Sequence, residues 1–227
     1  LILMNQLLTI IGQFPEIKDV ESIEPLNSGW INKTYRVKTS SEETPDYILQ
    51  RINHLIFTDI EMLQRNIEAA TAHIRKKLEE SNTEDIDRHV LTFIPSKENA
   101  DKLYCVVDGQ YWRIMVFIPN AITKQAVNPD SSRAAGKAFG EFQAMLADIP
   151  VSLGETIKDF HNMEFRLQQL RDVIAADPAG RVQEPQVQEM LRQIEERAEE
   201  MCKAERMGRE GTLPKRVCHC DTKVNNM

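Results

Sequence analysis

A chain of 227 residues, 41% hydrophobic and 28% charged, has enough apolar material for one large core or two small ones. A net charge of −7 with no basic stripe argues against a nucleic-acid partner but not against a nucleotide, which needs only a few local cations. Cys105, Cys202, Cys218 and Cys220 lack disulfide-framework spacing and read as reduced thiols, no run approaches membrane-spanning length, and the apolar opening 1–4 is short and lacks a basic flank; the expectation is a cytoplasmic protein that meets no membrane.

In chain order, residues 4–13 form a short amphipathic helix with Leu7, Leu8 and Ile11 on one face, ended by Pro15. Residues 20–37 read as strand, turn and strand, with Asn27-Ser28-Gly29 as the turn. A polar turn over 40–45 leads to a third strand over 47–52. Three strands joined so tightly make an antiparallel sheet, and a glycine in the first turn lets backbone N–H groups approach anionic oxygens. Residues 59–80 form a long helix: Asp59 suits the N-cap, and Ile60, Leu63, Ile67, Ala70, Ile74 and Leu78 recur at three and four residues. A strand is expected over 89–94, then a hairpin from 103–107 to 111–118 through Asp108-Gly109. Phe117-Ile118-Pro119-Asn120 closes the sheet and reads as a hinge.

Beyond the hinge the periodicity is helical. The first helix, 130–148, has Ala135, Ala138, Phe139, Phe142 and Leu146 on its apolar side, and Gly136 and Gly140 spaced for a close helix crossing. Two more follow over 160–175 and 184–207, the last rich in i,i+4 Glu and Arg and ended by Gly208 and Gly211. The fold class is therefore α+β, with a sheet domain over 1–118 and a hinge plus helical domain over 119–227.

The densest chemistry lies in 216–226, which reads His219-x-Asp221-x-Lys223-x-x-Asn226. This is the spacing of a kinase catalytic loop. Asp221 would face the attacking hydroxyl as base, and Asn226, five residues on, would face Mg²⁺ on the other side of the same phosphate. Lys223 can reach the transferring phosphoryl group as a point charge. Val217 leads in as a strand residue, with Cys218 and Cys220 alternating about His219. In a kinase the long helix offers a glutamate to a strand-three cation; Arg51 occupies that slot, Glu68 is the candidate partner and Glu61 stands behind it. A zinc module built from Cys202, Cys218, His219 and Cys220 competes, but Cys-x-Cys is poor spacing for a structural site.

These segments carry a resemblance. Asn27-Ser28-Gly29-Trp30-Ile31-Asn32-Lys33-Thr34-Tyr35, Tyr47 to Asn53, Trp112-Arg113 with Phe117-Ile118, Ala135 to Gln143, Glu155-Thr156-Ile157 with Phe160-His161, and His219 to Asn226 run in order from about residue 20 to the end. The chain resembles the N-acetylhexosamine 1-kinases, within the aminoglycoside phosphotransferase and choline kinase group. The resemblance implies a bilobal protein kinase-like fold with an antiparallel-sheet N-lobe, one long helix and a helical C-lobe cut short after the catalytic loop. It implies ATP- and Mg²⁺-dependent phosphorylation of an amino sugar at its anomeric hydroxyl. Asp221 and Lys223 would serve catalysis and Asn226 the metal; Ser28, Gly29, Arg51, Glu68, Phe117 and Ile118 would serve the nucleotide; Trp30 and His161 would serve the acceptor. Trp30 stands where these kinases carry His. The family continues past the equivalent of Met227 with an Ile-Asp-Leu-Asp strand, so this stretch alone is expected to be inactive and to self-associate through its cut face. Choline, homoserine or an aminoglycoside as acceptor, and a non-catalytic nucleotide-binding role, are the alternatives.

Overall fold

The computed structural model describes residues 2–26, 31–97, 101–123 and 126–223. Ser28, Gly29, Trp30 and Asn226 lie outside the described residues. The chain divides into two compact units, Leu1–Ile157 with Asp221–Met227, and Lys158–Cys220.

The first unit is built on five antiparallel strands in the order β1-β2-β3-β5-β4. They are β1 (Val20–Leu26), β2 (Lys33–Thr39), β3 (Tyr47–Ile52), β4 (Cys105–Val107) and β5 (Gln110–Val116). The β4–β5 turn places both Asp108 (φ 50°) and Gly109 (φ 69°) in the left-handed region, the geometry for which Asp-Gly is selected in two-residue hairpins. Alternation along β3 separates two faces. Tyr47 and Leu49 enter the main core with Val37, Trp112 and Ile114, capped by α1 (Ile2–Ile11) through Leu7, Ile10 and Ile11. Ile52 faces the other side and packs with Ile60 of α2 (Ile60–Glu80) and with Tyr104. The Asp59 carboxylate accepts from the Met62 amide at 2.8 Å and satisfies one of the free donors of the first turn.

The strand expected over 89–94 is not formed. Residues Ile86–Arg88 make a 3₁₀ turn, and only Phe93 bridges β5, at Met115. β4 covers β5 from Gln110 to Trp112; residues 92–94 take over farther along, through Ile94 N to Ile114 O (3.0 Å) and Val116 N to Thr92 O (2.9 Å). Two short segments thus share one edge, and neither has room for a full strand.

Helix α3 (Pro129–Leu146) starts with a reciprocal capping box between Asn128 and Ser131, and Pro129 costs no bond in its first turn. Ala135, Phe139 and Phe142 are half-buried and Leu146 is fully buried, whereas Ala138 is exposed. Among the described residues nothing approaches Gly136 or Gly140, so no close helix crossing is seen there. The residues after α3 are fastened to α2. Asn66 Nδ2 donates to Gly154 O (2.7 Å), Gly154 N donates to Asn66 Oδ1 (2.9 Å), and Asp148 meets both His73 Nε2 (3.1 Å) and Lys77.

The second unit contains α4 (Met163–Ala176), α5 (Pro185–Met201) and α6 (Lys203–Arg209). The single helix expected over 184–207 is broken at buried Cys202, whose ψ of −3° leaves the helical path while its amide still bonds Ala198 O and Glu200 O. Gly208 lies inside α6, and Gly211 (φ 76°) ends it, with the Thr212 and Leu213 amides folding back on Met207 O. Arg171 and Glu195 form an ion pair between α4 and α5.

Candidate nucleotide-binding and catalytic site

The α2-facing side of the sheet is set by register. Thr34 pairs with Gln50 and Arg36 with Ile48 across β2 and β3, while Gln50 pairs with Arg113 and Ile48 with Met115 across β3 and β5. Side chains of cross-strand partners share a face, so Thr34, Arg36, Gln50 and Arg113 line one side. Arg51 pairs with Lys33 and Trp112 and belongs to the opposite, α1-covered side. The structure therefore does not bring Arg51 to Glu68: Arg51 makes no ion pair among the described residues. Glu68 Oε1 instead accepts from Gln64 Nε2 at 2.7 Å, and Glu61 holds Lys102 Nζ (2.7 Å) and the Tyr104 hydroxyl. Those two bonds lower the Glu61 carboxyl below its ordinary range, and Lys102, bonded to Glu61 and to the Tyr104 hydroxyl, is pushed up to about 12.

Of the two cations on this side, Arg36 and Arg113, Arg113 is the one that lines a cavity against α2. Its Nε and Nη2 donate to Gln50 Oε1 at 2.9 and 2.6 Å, and Gln50 Nε2 donates onward to Thr34 Oγ1 at 3.2 Å. The guanidinium carbon lies 5.6 Å from the Phe93 ring centroid. Burial with no carboxylate beside it lowers its pKa to about 10. Sequence reasoning fixed on Arg51 of β3 and gave Arg113 no role. The available signal was the period-two pattern from Tyr47, which puts Gln50 rather than Arg51 opposite the buried residues Tyr47 and Leu49.

At the hinge, the Phe117 amide donates to Asp46 O at 2.8 Å, and its ring lies beneath the Arg36 guanidinium at 4.2 Å. Arg36 is held by Asp46 Oδ2 through Nε (3.1 Å) and Nη2 (2.7 Å), and Asp46 Oδ1 accepts from the Thr39 amide (3.1 Å). Burial by itself would raise the Asp46 pKa; the hydrogen bonds from Arg36 and Thr39 and the charges of Arg36 and Lys38 outweigh it, and the net shift is downward. Ile118 is half-buried, Pro119 O accepts from Arg88 (2.9 Å), and Asn120 turns the chain at φ 59°.

Residues 216–223 are irregular, and no strand forms at Val217. Cys220 takes φ 65° and turns the chain just before Asp221. Asp221 Oδ2 and Lys223 Nζ stand 3.5 Å apart, and both side chains are solvent-facing. Among the described residues, no group of three or more His, Cys, Asp or Glu gathers as metal ligands; Cys202 is buried, while Cys218 and Cys220 are exposed. An amide oxygen such as that of Asn226 is a donor that a hard cation such as Mg²⁺ takes when further oxygen ligands come from phosphate. His161 is an exposed residue of the second unit, edge-on to Phe160 at 4.7 Å.

No helix among the described residues is long and apolar enough to cross a membrane. The chain is similar to the crystal structure of spectinomycin phosphotransferase APH(9)-Ia in complex with ADP and spectinomycin, at a TM-score of 0.49 and 13% identity. The match covers 92% of this chain and 60% of that one, so the chain spans less than two thirds of that protein's length. The sequence pattern of the phosphotransferase enzyme family (APH) matches residues 22–227, from the first strand through the catalytic loop. The chain belongs to this phosphotransferase family.

Proposed function

We propose that the chain works in an ATP- and Mg²⁺-dependent small-molecule kinase whose acceptor is the anomeric hydroxyl of an N-acetylhexosamine. The observation that supports the kinase part of this reading is the His219-x-Asp221-x-Lys223-x-x-Asn226 spacing inside a family match that spans residues 22–227, with Asp221 and Lys223 side by side and open to solvent; the acceptor rests on the sequence resemblance alone. In this reaction the Asp221 carboxylate takes the proton of the attacking hydroxyl. The sugar oxygen bonds the γ-phosphorus as the bridge to the β-phosphate breaks, and ADP leaves with that electron pair. Lys223 offsets charge on the transferring group. Asn226 would help to hold Mg²⁺, which when bound would supply charge neutralisation at the phosphates. Glycine-turn residues Ser28 and Gly29 would cover the phosphates, Phe117 and Ile118 would flank adenine, and Trp30 and His161 would meet the acceptor.

The test is an acceptor panel with ATP and Mg²⁺ on the whole protein: N-acetylglucosamine, N-acetylgalactosamine, choline, homoserine and an aminoglycoside, with Asp221→Asn alongside. Sugar 1-phosphate should form with the acetylhexosamines. Asp221→Asn should cut kcat by roughly a hundredfold or more while ATP still binds. Preference for a different alcohol would overturn the acceptor, and near-normal turnover in Asp221→Asn would overturn the base.

A further inference from the structure

Two buried polar atoms in the first unit have no partner among the described residues: Arg113 Nη1 on β5 and Gln64 Oε1 on α2. Gln64 is only 9% exposed, and both residues line one small cavity between the sheet and α2, walled by Ile52, Ile60, Leu63 and Phe93. Every other arm of the two side chains is committed. Arg113 spends Nε and Nη2 on Gln50, and Gln64 spends Nε2 on Glu68 (2.7 Å) and on Asp101 O (2.8 Å). A buried guanidinium N–H and a buried amide carbonyl left unmet each cost free energy on the scale of a lost hydrogen bond, and here the one lacks an acceptor while the other lacks a donor.

We propose that Arg113 and Gln64 together form a binding site for one water molecule, and that through it Arg113 acts as a positioning residue for Gln64 and hence for Glu68 on α2. The chemistry of the two orphans selects the occupant. Nη1 needs an acceptor and Oε1 needs a donor, so the bridging group must be both. Water is; chloride or any other simple anion accepts from Nη1 but leaves Oε1 unmet. The cavity has room for a single water. With the water in place, an unbroken polar chain runs from Thr34 on β2 through Gln50, Arg113, the water and Gln64 to Glu68. The sheet then meets Gln64, on the buried face of α2, through the water and not through a direct side-chain bond.

High-resolution diffraction from crystals soaked in bromide is the direct test. A single peak without anomalous signal, within hydrogen-bond distance of both Nη1 and Oε1, is expected. A direct Nη1–Oε1 bond, a bromide peak or an empty cavity would overturn the site. A denaturation cycle with Arg113→Met, Gln64→Leu and the double variant tests the coupling in solution. Each single change strands the water on one partner, so the double variant should keep an unfolding equilibrium roughly tenfold more favourable to the folded state than the product of the singles. Agreement with that product within about twofold would count against the bridge. Arg113→Lys, a milder change, serves for the positioning step: the Gln64 side-chain amide signals in a ¹H–¹⁵N spectrum should shift while those of Asn66, on the same helix, stay in place. Unmoved Gln64 signals would overturn the positioning role.

Discussion

Asp46 ties three parts of the site together, and removing its carboxylate has a calculable consequence. In Asp46→Ala, Arg36 loses two charge-assisted bonds of 3.1 and 2.7 Å, and the Thr39 amide loses its acceptor at 3.1 Å. A charged hydrogen bond contributes about 1.5–3 kcal/mol when sheltered. With side-chain exposures of 34% for Arg36 and 21% for Asp46, water recovers part of that, so the expected loss is about 2 kcal/mol at pH 7. The pH dependence is a second check. The folded-state pKa of Asp46 is lowered from 3.8, so its contribution is fully present above about 4 and fades as pH falls through the lower folded value. Urea denaturation of both proteins should therefore show a gap at pH 7 that narrows below about pH 4. Arg36 freed from Asp46 also stops pinning the Phe117 ring, and in the whole protein the KM for ATP should rise with kcat little changed. Equal midpoints at pH 7 would refute the argument, and a gap that persists undiminished in acid would assign it to packing instead of charge.

Other perturbations separate neighbouring ideas. Leu49 is fully buried at the centre of the α1-side core, so Leu49→Ala should cost about 3 kcal/mol in a denaturant titration, and a loss under 1 would mean the core collapses to fill the gap. A Cβ on Gly154 would collide with the Met62 thioether, a flexible group; Gly154→Ala should lower the melting temperature modestly and weaken protection of the Asn66 side-chain amide in hydrogen exchange, and full protection would show that Met62 simply swings aside. Asp148 is held at about 2 by its bonds to Lys77 and His73, so its contribution is present above about pH 4 and is lost as pH falls toward 2; an acid titration of Asp148→Asn against the parent should converge there, and parallel curves would contradict the assignment. Arg51→Ala should leave nucleotide affinity within about twofold, because Arg51 stands on the α1-covered side; a tenfold loss by calorimetry would return Arg51 to the nucleotide site.

What was legible in the sequence was what local chemistry decides. The third strand, 47–52, matches β3 to the residue, the Asp59 cap and the periodicity from Ile60 locate α2, and Asp108-Gly109 dictates its turn. The misses share a cause: each depends on partners distant in sequence. The apolar run at 89–94 looks like a strand until β4 is seen to occupy much of the same edge of β5. Arg51 looks like the site cation because cations draw notice, yet the face it occupies follows from which of two alternating sets α1 buries. Nothing in the i,i+4 ion pairs of α5 signals the break at Cys202, which lies where the helix meets its own unit's interior. Asp221 and Lys223 were visible as a pattern, but their loop conformation, with Cys220 in the left-handed region, was not.

The fastening of α2 to the residues after α3 bears on the order in which the molecule assembles. The β1–β2 and β2–β3 hairpins join segments close in sequence and close small loops. The bonds from Asn66 to Gly154 and from His73 to Asp148 join residues 88 and 75 positions apart. Contacts with such long sequence separation bear their loop-closure entropy before they return any energy, so they form late in folding and dissolve early in unfolding. The residues after α3, and not α2, which already packs on the sheet through Ile52 and Ile60, are thus the last part of their unit to be secured, and partial unfolding releases them while the sheet persists.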